Sequence, residues 1–179
     1  MKILVLRLSA LGDVAMTVPV IDSLARQYPG VEVTVLSKPF VAPLFARMPA
    51  NVRLQGVDLG KYRGIGGLFR LFRRLRKERY DAVADLHDVL RTKVLRGLFA
   101  CFGTSTAHID KGRKEKRELT RPRHKKLVPL KSSFERYADV FRQLGFSVEV
   151  TFRSVYGDGK GEASLFQRVT GAPEGTHWI

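Results

Sequence analysis

The feature that most constrains this chain is its alternation of short apolar runs with longer amphipathic stretches, starting at the second residue. Residues 2–8, KILVLRL, are rich in β-formers and almost continuously apolar, the pattern of a strand covered on both faces. The turn SALGD (9–13) follows. Residues 14–28 then read as a helix, with Pro19 in its second turn, where it can bend the helix, and Pro29-Gly30 as its stop. Further strands are predicted at 31–37, 52–57, 81–86 and 104–109, with a Pro-punctuated helical piece at 39–48 and helices at 65–79 and 89–101. The stretch SSFERYADVFRQLGF has a Ser start, helical spacing of Phe134, Tyr137, Ala138 and Phe141, and a Gly145 stop. Such alternation implies an open, mostly parallel α/β sheet with helices on both faces.

Ligands of such sheets sit beyond the carboxyl ends of the strands. That rule selects the Ser9–Asp13 turn, the end of the fourth strand at Asp85–Arg91, and the stretch from Asp110 onward. At 179 residues and 44% hydrophobic content the chain suits one sizeable domain with a real core, which excludes wholesale disorder. No apolar run approaches the ~18 residues of a membrane span. Arg7 and Asp13 interrupt what would be the apolar core of a signal peptide, so cytoplasm is the expected compartment. The single cysteine, Cys101, excludes an internal disulfide and a zinc framework and is expected as a buried thiol. The ending GAPEGTHWI stops where a new strand is expected to start, so the chain reads as cut there.

Charge is the loudest compositional fact, and it is uneven. The formal net charge is +15, of which residues 61–80 contribute +7 and residues 111–131 contribute +8. A surface of this kind attracts polyanions: nucleic acid, anionic lipid head groups or a phosphorylated substrate. In 61–79, Leu68, Leu71, Phe72 and Leu75 share one helical face for packing, while Arg70, Arg73, Arg74 and Lys77 flank or oppose it. The basic side suits an anionic membrane or glycolipid. Residues 111–126 are expected to form a polar, mobile loop whose Arg113, Arg117, Arg121 and Arg123 can clamp phosphates or carboxylates bidentately.

The SALGD turn is the sharpest site candidate. Gly12 allows close backbone approach, and the following helix start offers unpaired N–H groups to an anion. Asp13 sits at or near the N-cap of that helix, and two roles stay open for it: a cap, or a general base at the carboxyl edge of the first strand. The roles oppose each other, because hydrogen bonds received by a carboxylate weaken it as a base. A dinucleotide fingerprint and a Walker lysine are both absent, so nucleotide binding is not expected of this stretch. The four histidines show no metal spacing, and His87, between Asp85 and Asp88, is assigned a hydrogen-bonding role.

The opening KILVLRLSALGDVAMTVPV, with Arg7, Ser9, Leu11, Gly12, Asp13, Thr17 and Pro19, resembles the start of bacterial glycosyltransferase family 9, which includes the ADP-heptose:lipopolysaccharide heptosyltransferases. The stretch YDAVADLHDVLRTKVL is similar to that family's second signature, here Asp85, Leu86, His87, Arg91 and Thr92. The resemblance implies a GT-B architecture of two Rossmann-like domains, of which residues 1–172 correspond to the N-terminal, acceptor-binding one and 173–179 to the start of the crossover. It implies an inverting, metal-independent transfer of heptose or a related sugar from an ADP-sugar, with no cofactor and with Asp13 as general base. The implied acceptor is an anionic, Kdo–lipid A-like glycolipid at the inner face of the inner membrane, with peripheral membrane contact. Arg7, Ser9, Gly12, Thr17, Lys61, Arg63, His87, Arg91, Lys111 and Arg113 are the expected acceptor-binding residues. Taken alone, the chain is expected to transfer nothing. The competing expectation is a basic α/β domain that binds nucleic acid or an anionic membrane without catalysis; few aromatics interleave the basic residues, which disfavours nucleic acid.

Overall fold

A computed structural model describes residues 1–122 and 127–155. Five strands, β1 (Lys2–Leu6), β2 (Glu32–Ser37), β3 (Val52–Gly56), β4 (Ala82–Asp85) and β5 (Ser105–His108), form one sheet in the order β3-β2-β1-β4-β5, parallel throughout. Six α-helices accompany them among the described residues: α1 (Leu11–Ala15), α2 (Val18–Gln27), α3 (Gly64–Arg76), α4 (Leu90–Cys101), α5 (Arg113–Leu119) and α6 (Ser133–Gln143).

Strand periodicity sorts the core into two layers. Ile3 and Val5 of β1 point to α2 and α6, where they meet Val20, Ile21, Leu24, Val140 and Phe141. Leu4 and Leu6 point the other way, to α3 and α4, and pack with Leu71, Phe72, Leu75 and Phe99. Both sides of β1 are therefore buried, which is why its sequence is nearly unbroken apolar. The apolar stripe of α3 is buried as its spacing predicts, and Phe72 stands edge-on to Phe99 with ring centroids 5.0 Å apart. Beyond α6, residues 147–151 dock along α2: Gln27 and Glu149 bond reciprocally, and the Thr151 amide donates to Ser23 Oγ at 2.9 Å.

Four expectations are corrected. The single helix over 14–28 is two: α1 ends at Ala15, and Thr17 restarts the chain as N-cap of α2. Pro19 thus lies in the first turn of α2, where its missing N–H costs nothing, and it bends no helix. Asp13 falls near the N-cap, as expected, and not at it. It is the third residue of α1, and its carboxylate reaches back to the amide of Ala10, which occupies the cap position. Residues 113–119 are helical, not looped: Gly112, at φ +60°, starts α5, and Lys, Arg, Glu and Leu are all good helix formers. Cys101 is exposed, because the last turn of α4 carries it on the side away from the sheet. The 172/173 boundary and Arg123 lie outside the described residues.

Candidate active site at the sheet crossover

In this strand order the chain winds outward from β1 to β3, then returns to add β4 on the other side of β1. The crevice opened by that reversal lies beyond the carboxyl ends of β1 and β4. The register pairs Leu6 with Asp85, so the residues following each strand, Arg7–Ser9 and Leu86–Asp88, emerge side by side.

Arg7 is buried at 6% exposure, with its guanidinium donating to the Leu86 carbonyl at 2.6 Å and pairing with the Asp13 carboxylate. The arrangement is asymmetric: the Arg7 side chain is 7% exposed and that of Asp13 is 57% exposed. A buried cation thus fixes a carboxylate that still faces the opening. The Ser9–Ala10 peptide between them is cis.

His87 stands opposite. Its Nδ1 accepts the Leu8 amide at 3.4 Å, which leaves the proton on Nε2, 3.5 Å from Ser9 Oγ. Burial depresses its pKa below the ordinary value, and the adjacent Arg7 and Lys111 charges depress it further. At neutral pH the ring is therefore an uncharged donor pointing into the crevice.

Asp85 builds the loop that carries His87. It is fully buried, accepts the His87 and Asp88 amides at 3.0 and 2.8 Å, and pairs with Arg96 at 3.2 Å. Asp88, at φ +45°, turns the chain; Thr92 then caps α4 by accepting the Val89 amide at 3.0 Å. Asp85 and Thr92, both expected near the site, are thus its scaffold.

Arg136 closes the far wall. From α6 it donates to the carbonyls of Lys131 and Asp110 at 3.2 and 3.1 Å and to Glu115 at 2.6 Å. Gly112 passes so close that a Cβ there would collide with the Arg136 guanidinium. Together these bonds hold Lys111 and Lys116 over a cleft of about 350 Å³ shared with Arg7, Asp13, His87 and Tyr137. Burial raises the Tyr137 pKa, so its hydroxyl stays protonated.

The expected residues therefore divide. Arg7, Asp13, His87 and Lys111 line one cleft, and Ser9 touches it through His87. Arg63 and Arg91 line a second hollow of about 740 Å³ at the ends of β2 and β3, with Lys61 beside it on the Leu59–Lys61 turn. Gly12 lies exposed on α1 with open space around it, and Arg113 is exposed at the start of α5. Thr17 stands apart from both hollows: it is fully buried, and its hydroxyl donates to the Val14 carbonyl at 2.7 Å. Sequence reasoning missed Lys116, Lys131 and Arg136. The first was hidden in an assumed loop, and the other two enter the cleft only because α6 packs beside β5.

No family model matches the chain. Over 87 residues it is 31% identical to lipopolysaccharide heptosyltransferase 3 of Escherichia coli, a stretch covering 47% of this chain and 26% of that protein. Among solved structures, a glycosyltransferase family 9 protein from Veillonella parvula superposes with a TM-score of 0.60 at 22% identity, covering 96% of this chain and 50% of the other. The chain resembles glycosyltransferase family 9. The E. coli heptosyltransferase WaaC with ADP-2-deoxy-2-fluoro heptose superposes at 0.60 and 20% identity, covering 87% of this chain and 52% of that one. E. coli ADP-heptose lipopolysaccharide heptosyltransferase II gives 0.52 at 23% identity, with 88% and 43% covered. The parallel sheet with helices on both faces is thus a Rossmann-like unit of the GT-B type, and the chain spans about half the length of these structures. No helix among the described residues is long and apolar enough to cross a membrane.

Proposed function

We propose that this chain is the acceptor-binding half of an inverting, metal-independent, heptosyltransferase-like glycosyltransferase, with Asp13 as general base. One observation carries the reading: an open carboxylate, Asp13, stands at the sheet crossover on a buried arginine, in a cleft whose lining also includes Lys111, Lys116 and neutral His87. That combination suits an anionic molecule that must lose a proton. The cations take its phosphates or carboxylates, and the carboxylate takes the proton of one hydroxyl. As the proton moves to Asp13, the acceptor oxygen forms its bond to the anomeric carbon of an ADP-sugar from the opposite face. The bond from that carbon to the ADP oxygen breaks, and ADP leaves with the electron pair. The acceptor is a lipopolysaccharide-core glycolipid of the Kdo–lipid A kind. Because the donor belongs to a second domain in this reading, the 179-residue chain alone transfers nothing.

The test is an NMR titration of the labelled chain with a soluble, de-acylated Kdo–lipid A fragment at two salt concentrations. Shifts gathered on Arg7, Ser9, Asp13, His87 and Lys111 support the reading, and Asp13→Asn should keep them. Shifts scattered over Arg113, Arg117 and Arg121, and erased by salt, reduce the charge to a generic polyanion surface. Sugar transfer by the purified chain would contradict the half-enzyme reading.

A further inference from the structure

Tyr137 carries a hydroxyl that the fold does not use. The residue is 3% exposed, and its ring belongs to the apolar layer of Val140 and Phe141. Helix α6 starts at the cleft, where Ser133, Arg136 and Tyr137 line the wall, and its next apolar residues, Ala138, Val140 and Phe141, are core. Tyr137 therefore sits where the helix passes from cleft to core. A phenylalanine would fill that space as Phe141 does one turn on, and would bring no polar atom with it.

A buried phenol ordinarily finds a hydrogen-bond partner. The Tyr28 hydroxyl donates to the Ser147 carbonyl at 3.0 Å, that of Tyr80 donates to Gln55 at 3.3 Å, and that of Tyr62 accepts from Arg74 at 3.2 Å. The Tyr137 hydroxyl bonds to no described residue. Nor is it sealed off. Among the described residues, the side-chain polar atoms buried without a partner are Arg7 Nε and Ser37 Oγ, and the Tyr137 oxygen is not one of them. The hydroxyl thus meets the cleft, where the charges of both Arg7 and Asp13 act on it.

The charged groups around it are committed. Arg7 is spent on the Leu86 carbonyl and on Asp13, Lys111 donates to the Asp88 carbonyl at 3.2 Å, and Lys131 pairs with Asp139 at 2.7 Å. Each of these cations can only donate, and an ionised carboxylate can only accept. A phenol does both. That difference selects the ligand group: phosphate and carboxylate oxygens only accept and match the cations, whereas a sugar hydroxyl donates and accepts at once.

We infer that Tyr137 is a specificity-determining residue whose hydroxyl shares a hydrogen bond with a sugar hydroxyl of the acceptor, next to the one that Asp13 deprotonates. The inference rests on the acceptor reading, and it adds that the cleft recognises a polyol as well as an anion. An anion without sugar hydroxyls gains nothing from the phenol.

NMR of the chain labelled with 13C at tyrosine Cζ tests it, with the Tyr137 signal assigned by its loss in Tyr137→Phe. On titration with the de-acylated Kdo–lipid A fragment, that signal should move along the same saturation curve as the Asp13 and His87 amides. Tyr137→Phe should weaken fragment binding about tenfold and leave the thermal midpoint no lower. Inorganic pyrophosphate, which offers charge without a sugar, should bind both forms alike. Undiminished fragment binding by Tyr137→Phe, or a Tyr137 signal that stays still while Asp13 and His87 shift, would overturn the inference and leave the acceptor reading standing. An equal loss for fragment and pyrophosphate would also overturn it, since the phenol would then act only through the shape or charge of the cleft. If the fragment shifts none of Tyr137, Asp13 and His87, the acceptor reading falls and takes this inference with it.

Discussion

Asp13 and His87 show how local bonding decides what a side chain can do. The loop around His87 uses Nδ1 as an acceptor, so the ring meets the crevice as a donor without charge. Its depressed pKa has a stability consequence. Below the ordinary value of 6.5 the unfolded chain takes up a proton that the folded ring resists, so the unfolded state binds more protons and stability falls with falling pH. His87→Gln should flatten the pH–stability curve below pH 6.5 and leave it unchanged above, as measured by urea unfolding across that range. Asp85 is the reverse case, a fully buried carboxylate that holds the loop. Asp85→Ala leaves Arg96 with Asp88 alone and strands two loop amides, and should cost about 3–5 kcal/mol, read as a drop in thermal midpoint. The motif pairing Asp85 with His87 was visible in the sequence; which one holds the loop and which one faces the opening was not. Only burial separates them.

At the scale of elements, α5 is the instructive one. Residues 111–126 carry so many charges that hydrophobic patterning predicts no packing there, and none of α5 is buried. Among its anchors is the Arg136 guanidinium, which bonds Glu115 of α5 as well as the Asp110 and Lys131 carbonyls. Polar anchors of this kind leave no periodic trace in sequence. Gly112→Ala should therefore detach α5, because a Cβ meets Arg136 and a left-handed φ penalises any side chain. A loss of about 2 kcal/mol or more is expected, together with faster amide exchange over 113–119. The split of α1 from α2 has a similar origin: Val14 through Val18 are helical in pattern, and only the Thr17 hydroxyl bonded to Val14 marks the restart. By contrast α6, with its Ser132–Glu135 capping box and left-handed Gly145, lies where its sequence places it.

Across the whole molecule, stability rests on two apolar layers that share a single sheet. Phe72 is fully buried in the layer under α3 and α4, against Phe99 and Phe102. Phe72→Ala should cost about 3–5 kcal/mol, a large part of the ~5–15 kcal/mol that holds a typical domain together. Loss of cooperative unfolding in denaturant checks this. What the sequence by itself determined was the order of strands and helices, the buried faces of β1 and α3, and the turn that bears Arg7 and Asp13. These follow from apolar periodicity and turn chemistry, which are local. What only the tertiary structure decided was the strand order that sets β4 beside β1, and with it the meeting of Arg7, Asp13 and His87. The same packing seals Thr17 and draws Lys116 and Arg136 to the cleft. At the crevice these contacts bring together residues far apart in the chain, such as Ser9 and His87, 78 positions apart, and no local pattern encodes such a distance.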